Sequence, residues 1–353
     1  MRDNKITIAK AIGIILMVIV HAGLPQMEAN FIIMFHMPLF FIVSGYCFKE
    51  KYLSNNTDFI KRKIKGLYIP YIKYALLFLL LHNLFFHLNI YNDSYGFKGE
   101  VSHLYSIKEY LLKAFQIITA MKKHEQLLGG YWFIKQLFLS SILSFFIIKK
   151  CKSHLLPILV GTIIACILTN YFNLHIPYID INSLTLLSTF FFISGYYIRT
   201  HTAIFKNNNY ISILYFIIVL VISLLIPTSM LRFNYINIIP YSIAAIAGTL
   251  LVLHISDKIN KSQYKVLTLP FIYIGNNTLP ILTWHFLSFK LASILIISIQ
   301  NRPIQQLAYF PIIEDFNSQC GKEIIIYSLV GICIPLIITK ITNSIAQYYI
   351  KNK

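Results

Sequence analysis

An all-α, polytopic membrane helix bundle is the fold class this sequence predicts, with about ten transmembrane helices and both termini inside. Composition is the first observation: 57% of the 353 residues are hydrophobic and only 12% charged, and mean hydropathy is +0.65. A soluble domain of this size carries about a quarter charged residues. The second is recurrence, because apolar stretches of about 20 residues, the length a bilayer demands, return from one end to the other. The third is the placing of Lys and Arg beside the ends of those stretches. A bilayer interior offers backbone amides no water, so the stretches must be helices.

The expected spans fall near 6–24, 29–48, 66–90, 130–149, 155–172, 184–201, 210–228, 236–255, 270–299 and 323–348. The 270–299 stretch is long enough to tilt or break. No small-residue cleavage site follows the first run, so a removable signal is not expected. With the N-terminus inside, Arg2, Lys5, Lys10, Lys61, Arg62, Lys63, Lys65, Lys149, Lys150, Arg199, Lys206, Lys258 and the Lys351–Lys353 tail all fall on the inner side. The formal charge of +18 therefore points to anionic lipid rather than nucleic acid. Cys47, Cys151, Cys166 and Cys333 lie in or beside spans and Cys320 outside, which is no disulfide framework.

The chain is read as one membrane domain, 1–353, with an outer insertion at about 91–129. Within the insertion, Ile107, Tyr110, Leu111, Ala114, Phe115 and Ile118 share one helical face, as in a short helix lying on the outer surface or capping the bundle. An internal echo joins FIVSGYCFK at 41–49 to FFISGYYIR at 191–199. It is either a trace of duplication or two small-residue packing sites.

Ionisable groups inside spans are costly and each merits a functional hypothesis. They are Lys10, His21, His36, Lys73, His82, His87, Lys135, His285 and Lys290. At 1.5 Å per residue, His21 lies about 16 Å beyond Lys10, and His36, on the returning span, reaches a similar depth; His285 comes to a broadly similar level. Three imidazoles at one depth suit proton transfer near neutral pH. No carboxylate or thiolate accompanies them at ligand spacing, so no metal is expected. His82 and His87, beside Asn83 and Asn89, read as interfacial. Lys10, Arg62, Lys63, Lys65 and Arg199 form an inner rim suited to a phosphate-rich ligand.

At these residues the chain resembles the acyltransferase family 3 of integral membrane O-acyltransferases, particularly its stand-alone sugar O-acetylase branch (fucose 4-O-acetylase-like proteins). The matching pieces are KAIGIILMVIVH at 10–21, FHMPLFFIVSGY at 35–46, IKRKIKGLYIPY at 60–71, GGYWFIKQLFL at 129–139 and YIGNNTLPILTWH at 273–285. The family more often has Arg where Lys10 stands, and the esterase-like extension of some members is not expected here. The resemblance implies that acyl-CoA, in the simplest case acetyl-CoA, is co-substrate rather than a resident cofactor. Its docking residues would be Lys10, Arg62, Lys65 and Arg199, with Ser44, Gly45 and Asn276 permitting close approach. His21 would be general base or acyl-carrying nucleophile, with His36 or His285 orienting it or protonating the thiolate. Trp132, Lys135 and Gln136 are assigned to the acceptor.

The implied partners are a carbohydrate acceptor (polysaccharide or lipid-linked glycan), membrane lipid and, as an option, a second copy in a homo-oligomer, in a bacterial inner membrane. Two other classes fit many spans and a basic rim: an exporter or flippase of lipid-linked glycan, and a sugar polymerase or ligase. The gathering of His toward one face argues against the first, and the modest outer loops argue against the second.

Overall fold

The computed structural model describes residues 3–96, 101, 103–202, 208–313 and 322–351; Arg2, Lys206, Cys320, Asn352 and Lys353 of the charge and cysteine reading lie outside the described residues. Among the described residues every regular element is helical, apart from an isolated bridge between Ile176 and Ile181. Among the described residues six stretches are long and apolar enough to cross a membrane: Asn4–His21, Gln26–Tyr46, Tyr131–Tyr171, Ile238–Lys261, Thr278–Gln300 and Glu323–Ile345.

Helix α1 (Asn4–His21) is unbroken. Three expected spans are divided: two of the divisions face a proline, while the third, at Leu81, does not, and that span has a proline near its start instead. Proline has no N–H, so the carbonyl four residues before it loses its helical partner. The 29–48 span is two helices, α2 (Gln26–Ile33) and α3 (His36–Tyr46), with Pro38 withdrawing the donor for Met34. Helix α4 (Asn56–Lys63) passes through a π-helical turn at Ile64–Tyr68 into α5 (Ile69–Leu80) and α6 (His82–His87). There Pro70 withdraws the donor for Gly66, and one wide turn absorbs the mismatch. The 270–299 span is likewise two helices, separated at Asn277, where Pro280 withdraws the donor for Asn276.

Contacts gather the chain into two compact units interleaved in sequence: Met1–Gly13, Gln26–Tyr71 and Trp132–Ile272 form the first, and Ile14–Pro25, Ile72–Tyr131 and Tyr273–Lys353 the second. The remaining helices are α7 (Ile107–Ala120), α8 (Tyr131–Cys151), α9 (Leu155–Tyr171), α10 (Ser183–Thr200), α11 (Asn209–Leu225), α12 (Ile238–Lys261), α13 (Lys265–Asn276), α14 (Thr278–Gln300) and α15 (Lys322–Lys351).

In the first unit the two Ser-Gly-Tyr copies meet. A Cβ on Gly45 would stand 1.8 Å from the Phe192 carbonyl oxygen, and one on Gly195 would stand 1.8 Å from that of Ile42. The echo is thus a reciprocal backbone contact between α3 and α10. Lipid is as apolar as a protein interior, so such close approach, rather than escape from water, is what associates helices there. Next to it, Phe48, Phe59, Phe145, Phe192 and Tyr196 form a buried aromatic cluster, with Phe59 and Phe145 stacked at 4.6 Å.

In the second unit α14 and α15 pack through Gly331, whose Cβ would stand 2.4 Å from the Phe289 ring. A Ser293–Tyr327 hydroxyl pair at 3.0 Å joins the same helices. Helix α7 begins on a capping box, Ser106 with Glu109. Ile107, Leu111, Phe115 and Ile118 of its expected apolar face are exposed, as a surface-lying helix requires.

His82 corrects the interfacial reading. It is fully buried, with Nδ1 3.1 Å from the Glu125 carboxylate and Nε2 3.0 Å from the His103 carbonyl. Tyr105 stacks on the imidazole at 3.4 Å. His87 is exposed. Both nitrogens of His82 thus face oxygen atoms of the insertion. His82→Ala strands the Glu125 carboxylate in the interior and should cost ~3–5 kcal/mol. Thermal unfolding in detergent reads this loss, and His82→Ala/Glu125→Ala should regain much of it. A single variant that melts with the wild type would show the pair to be idle.

Candidate active site

The second unit brings two of the predicted imidazoles together. His21 ends α1, and its ring lies 5.6 Å from that of His285, tilted by 31°. Phe286 meets His21 edge-on at 4.9 Å and lies 3.9 Å from His285. His285 is fully buried. Its Nδ1 is 3.1 Å from the Ile281 carbonyl and 3.0 Å from that of Leu282. Carbonyls only accept, so Nδ1 carries the proton and Nε2 of the neutral ring keeps its lone pair. That Nε2 is buried and has no hydrogen-bond partner, an arrangement a structural histidine avoids.

The Gly-Gly-Tyr of the fourth motif explains itself here. A Cβ on Gly130 would stand 2.6 Å from Leu282 Cδ1, and one on Gly129 3.0 Å from the Phe286 ring. The chain thus lies flush against the turns of α14 that carry His285. Tyr131 and Thr283 pair through their hydroxyls at 2.8 Å; because Thr283 donates to the Leu279 carbonyl at 2.9 Å, Tyr131 is the donor of that pair.

His36 belongs to the first unit. It is buried, opens α3, and donates from Nδ1 to the Ile32 carbonyl at 3.0 Å. It therefore repeats the tautomer of His285, with Nε2 as the basic nitrogen.

The first unit also gathers three cations of the expected rim. Lys10, Arg199 and Lys63 all act electrostatically on the Cys47 thiol. Lys63 donates to Ser44 Oγ at 3.4 Å and lies over the Phe59 and Phe192 rings at 5.4 and 5.5 Å. Arg199 Nη1 donates to the Phe48 carbonyl at 2.6 Å and that of Tyr46 at 3.3 Å, capping the C-terminal end of α3 as cations do. Arg62 and Lys65 are exposed, and Arg62 lies over Tyr52 at 5.5 Å. Lys63, one residue from Arg62 and two from Lys65, is the member of the basic run that turns inward. Only its helical phase against α3 distinguishes it.

Of the residues assigned to an acceptor, Lys135 and Gln136 are buried and Trp132 is half-buried. Gln136 Oε1 accepts from Thr185 Oγ1 at 2.8 Å, and Trp132 lies edge-on to Phe133 at 6.4 Å. Asn276 is exposed at the end of α13 in the second unit.

Membrane-length helices among the described residues and, in the second unit, a buried imidazole with an unpartnered basic nitrogen fit a membrane-embedded group-transfer protein. The chain belongs to acyltransferase family 3, whose acyltransferase domain matches residues 3–313. No curated protein and no solved structure matches it. Membership decides for a membrane acyltransferase over the exporter and polymerase readings.

Proposed function

We propose that this acyltransferase moves an acyl group, acetyl in the simplest case, from cytoplasmic acyl-CoA to a hydroxyl of a cell-surface or lipid-linked carbohydrate. The observation that carries the reading is the unpartnered Nε2 of buried His285 beside His21. That lone pair can accept an N–H from His21 and so leave the other His21 nitrogen as the base. His21 takes the acceptor's hydroxyl proton as that oxygen attacks the thioester carbonyl. The C–S bond then breaks, and the thiolate leaves with the proton His21 has gained. His285, its tautomer held by two carbonyls, orients and polarises His21. The donor's phosphates are held by Lys10 and Lys63.

Membrane vesicles supplied with acyl-labelled CoA test the reading. Label should pass to carbohydrate in an alkali-labile ester. Label found only in lipid or protein would replace the acceptor class, and no consumption of acyl-CoA would overturn the donor.

Burial pushes the Lys63 ammonium down to about 8. Its charge is present below that value and lost above it, so donor binding should weaken as pH rises through about 8. KM for acyl-CoA should climb about tenfold on the alkaline side, the equivalent of one charge-assisted hydrogen bond. Lys63→Arg stays charged throughout and should flatten that limb. A KM profile identical in both proteins removes Lys63 from the donor site.

A further inference from the structure

Lys290 has no part in the chemistry above, yet it is one of the most costly residues in the second unit. It lies on α14, five residues beyond His285, and is 2% exposed. An ammonium buried in an apolar bundle is retained only where partners compensate it. Its partners are two main-chain carbonyls of one loop: Nζ donates to Leu307 at 2.8 Å and also to Tyr309. The next residue, Phe310, places its ring 4.5 Å from Phe286, the side chain that touches both His21 and His285.

The far end of the same loop is held near His21 too. Gly23, two residues past His21, has φ +92°, and a Cβ there would stand 2.5 Å from Ile312 Cδ1. Only glycine both adopts that backbone conformation and leaves that space. Ile313 is buried, and its N–H donates to the Tyr327 hydroxyl at 3.4 Å. The segment 303–313 is thus tied to α14, to the chain after α1 and to α15, with Phe310 turned onto the imidazole site.

We propose that Lys290 is a positioning residue whose two hydrogen bonds strap segment 303–313 down as a lid over the His21–His285 pair, shielding the acyl group from water. The proposal rests on the acyl-transfer reading for its consequence but not for its geometry. The competing reaction is hydrolysis: a water oxygen attacks the thioester carbonyl, the C–S bond breaks, and a free carboxylic acid and the CoA thiol result. Excluding water from such a site is a recognised use of a closed loop.

Lys290→Met keeps the aliphatic stem and removes the three donors. With acyl-labelled CoA it should raise the share of label released as free acid at least fivefold, with KM for the donor changed less than twofold. Lys290→Arg, which can still reach two carbonyls, should restore most of the transfer. Phe310→Ala loosens the lid from its other side without disturbing Lys290 and should also raise the hydrolysed share, which keeps the test decisive if Lys290→Met fails to fold. A readout free of activity comes from Ile312→Cys: its alkylation, followed by mass spectrometry of its own peptide, should quicken at least fivefold when combined with Lys290→Met or with Phe310→Ala. Unchanged alkylation overturns the strap. Faster alkylation with an unchanged hydrolysed share overturns the water-shielding role. If the wild-type chain transfers no acyl group, the reading of the site fails, and the alkylation comparison alone decides the strap.

Discussion

Replacing His21 with alanine should lower acyl transfer by about 10²- to 10⁴-fold, the range that a positioned general base contributes, with KM for acyl-CoA little changed. The split follows from where the groups lie. The proposed phosphate anchor is at Lys10, eleven residues back along α1, so removing the base leaves ground-state binding in place. His285→Ala should cost less than His21→Ala, because it removes the orienting partner and leaves the proton acceptor. The double variant should be close to His21→Ala alone, as expected of residues acting as one unit. Initial rates in vesicles, normalised to folded protein, check all three. Wild-type transfer by His21→Ala would sink the mechanism; equal and additive losses would make His285 an independent participant.

The second large effect is on the fold itself. Gly45→Ala and Gly195→Ala should each destabilise the first unit by about 3 kcal/mol or more, the upper end of overpacking costs. In both cases the new methyl meets a main-chain carbonyl at 1.8 Å. A side chain in the way could rotate, but a carbonyl moves only with its helix. Relief to an ordinary carbon–oxygen separation would require α3 and α10 to part by about 1.5 Å along the contact, loosening the packing that holds helices together in lipid. Gly66→Ala and Gly161→Ala are the controls, since nothing lies within 4 Å of a Cβ at either position. They should be neutral or gain a few tenths of a kcal/mol from reduced backbone freedom. Thermal unfolding of the detergent-purified proteins separates the pairs. If Gly45→Ala melts with Gly161→Ala, the α3–α10 contact is not what holds this unit.

Much of this organisation was legible before any coordinates. Low charge and long apolar runs implied helices throughout, because no other backbone arrangement hides its amides in lipid. The divisions at 34–35 and 277 and the π-helical turn at 64–68 were also within reach of the sequence: each faces Pro38, Pro280 or Pro70 at the spacing of a lost hydrogen bond. Reading hydropathy alone ran 29–48 together and allowed for a break in 270–299 without placing it. His82 was misread for a different reason. Its partner Glu125 lies 43 residues away in the outer insertion, and no local pattern connects the two.

The same division runs through the site. Residue types, their spacing on α1 and the order of the five motifs come from the chain alone, as does the family they resemble. Local rules of helical rise and proline chemistry suffice for that, because they act between near neighbours. Which Lys of the basic run faces Ser44, whether the two Ser-Gly-Tyr copies pack on one another, that His285 stands beside His21 with an unpartnered nitrogen, and that Lys290 ties down a loop beyond it were decided only by tertiary structure. Each depends on the rotation of one helix against another, a quantity set by the summed packing of distant side chains and written in no single stretch of sequence.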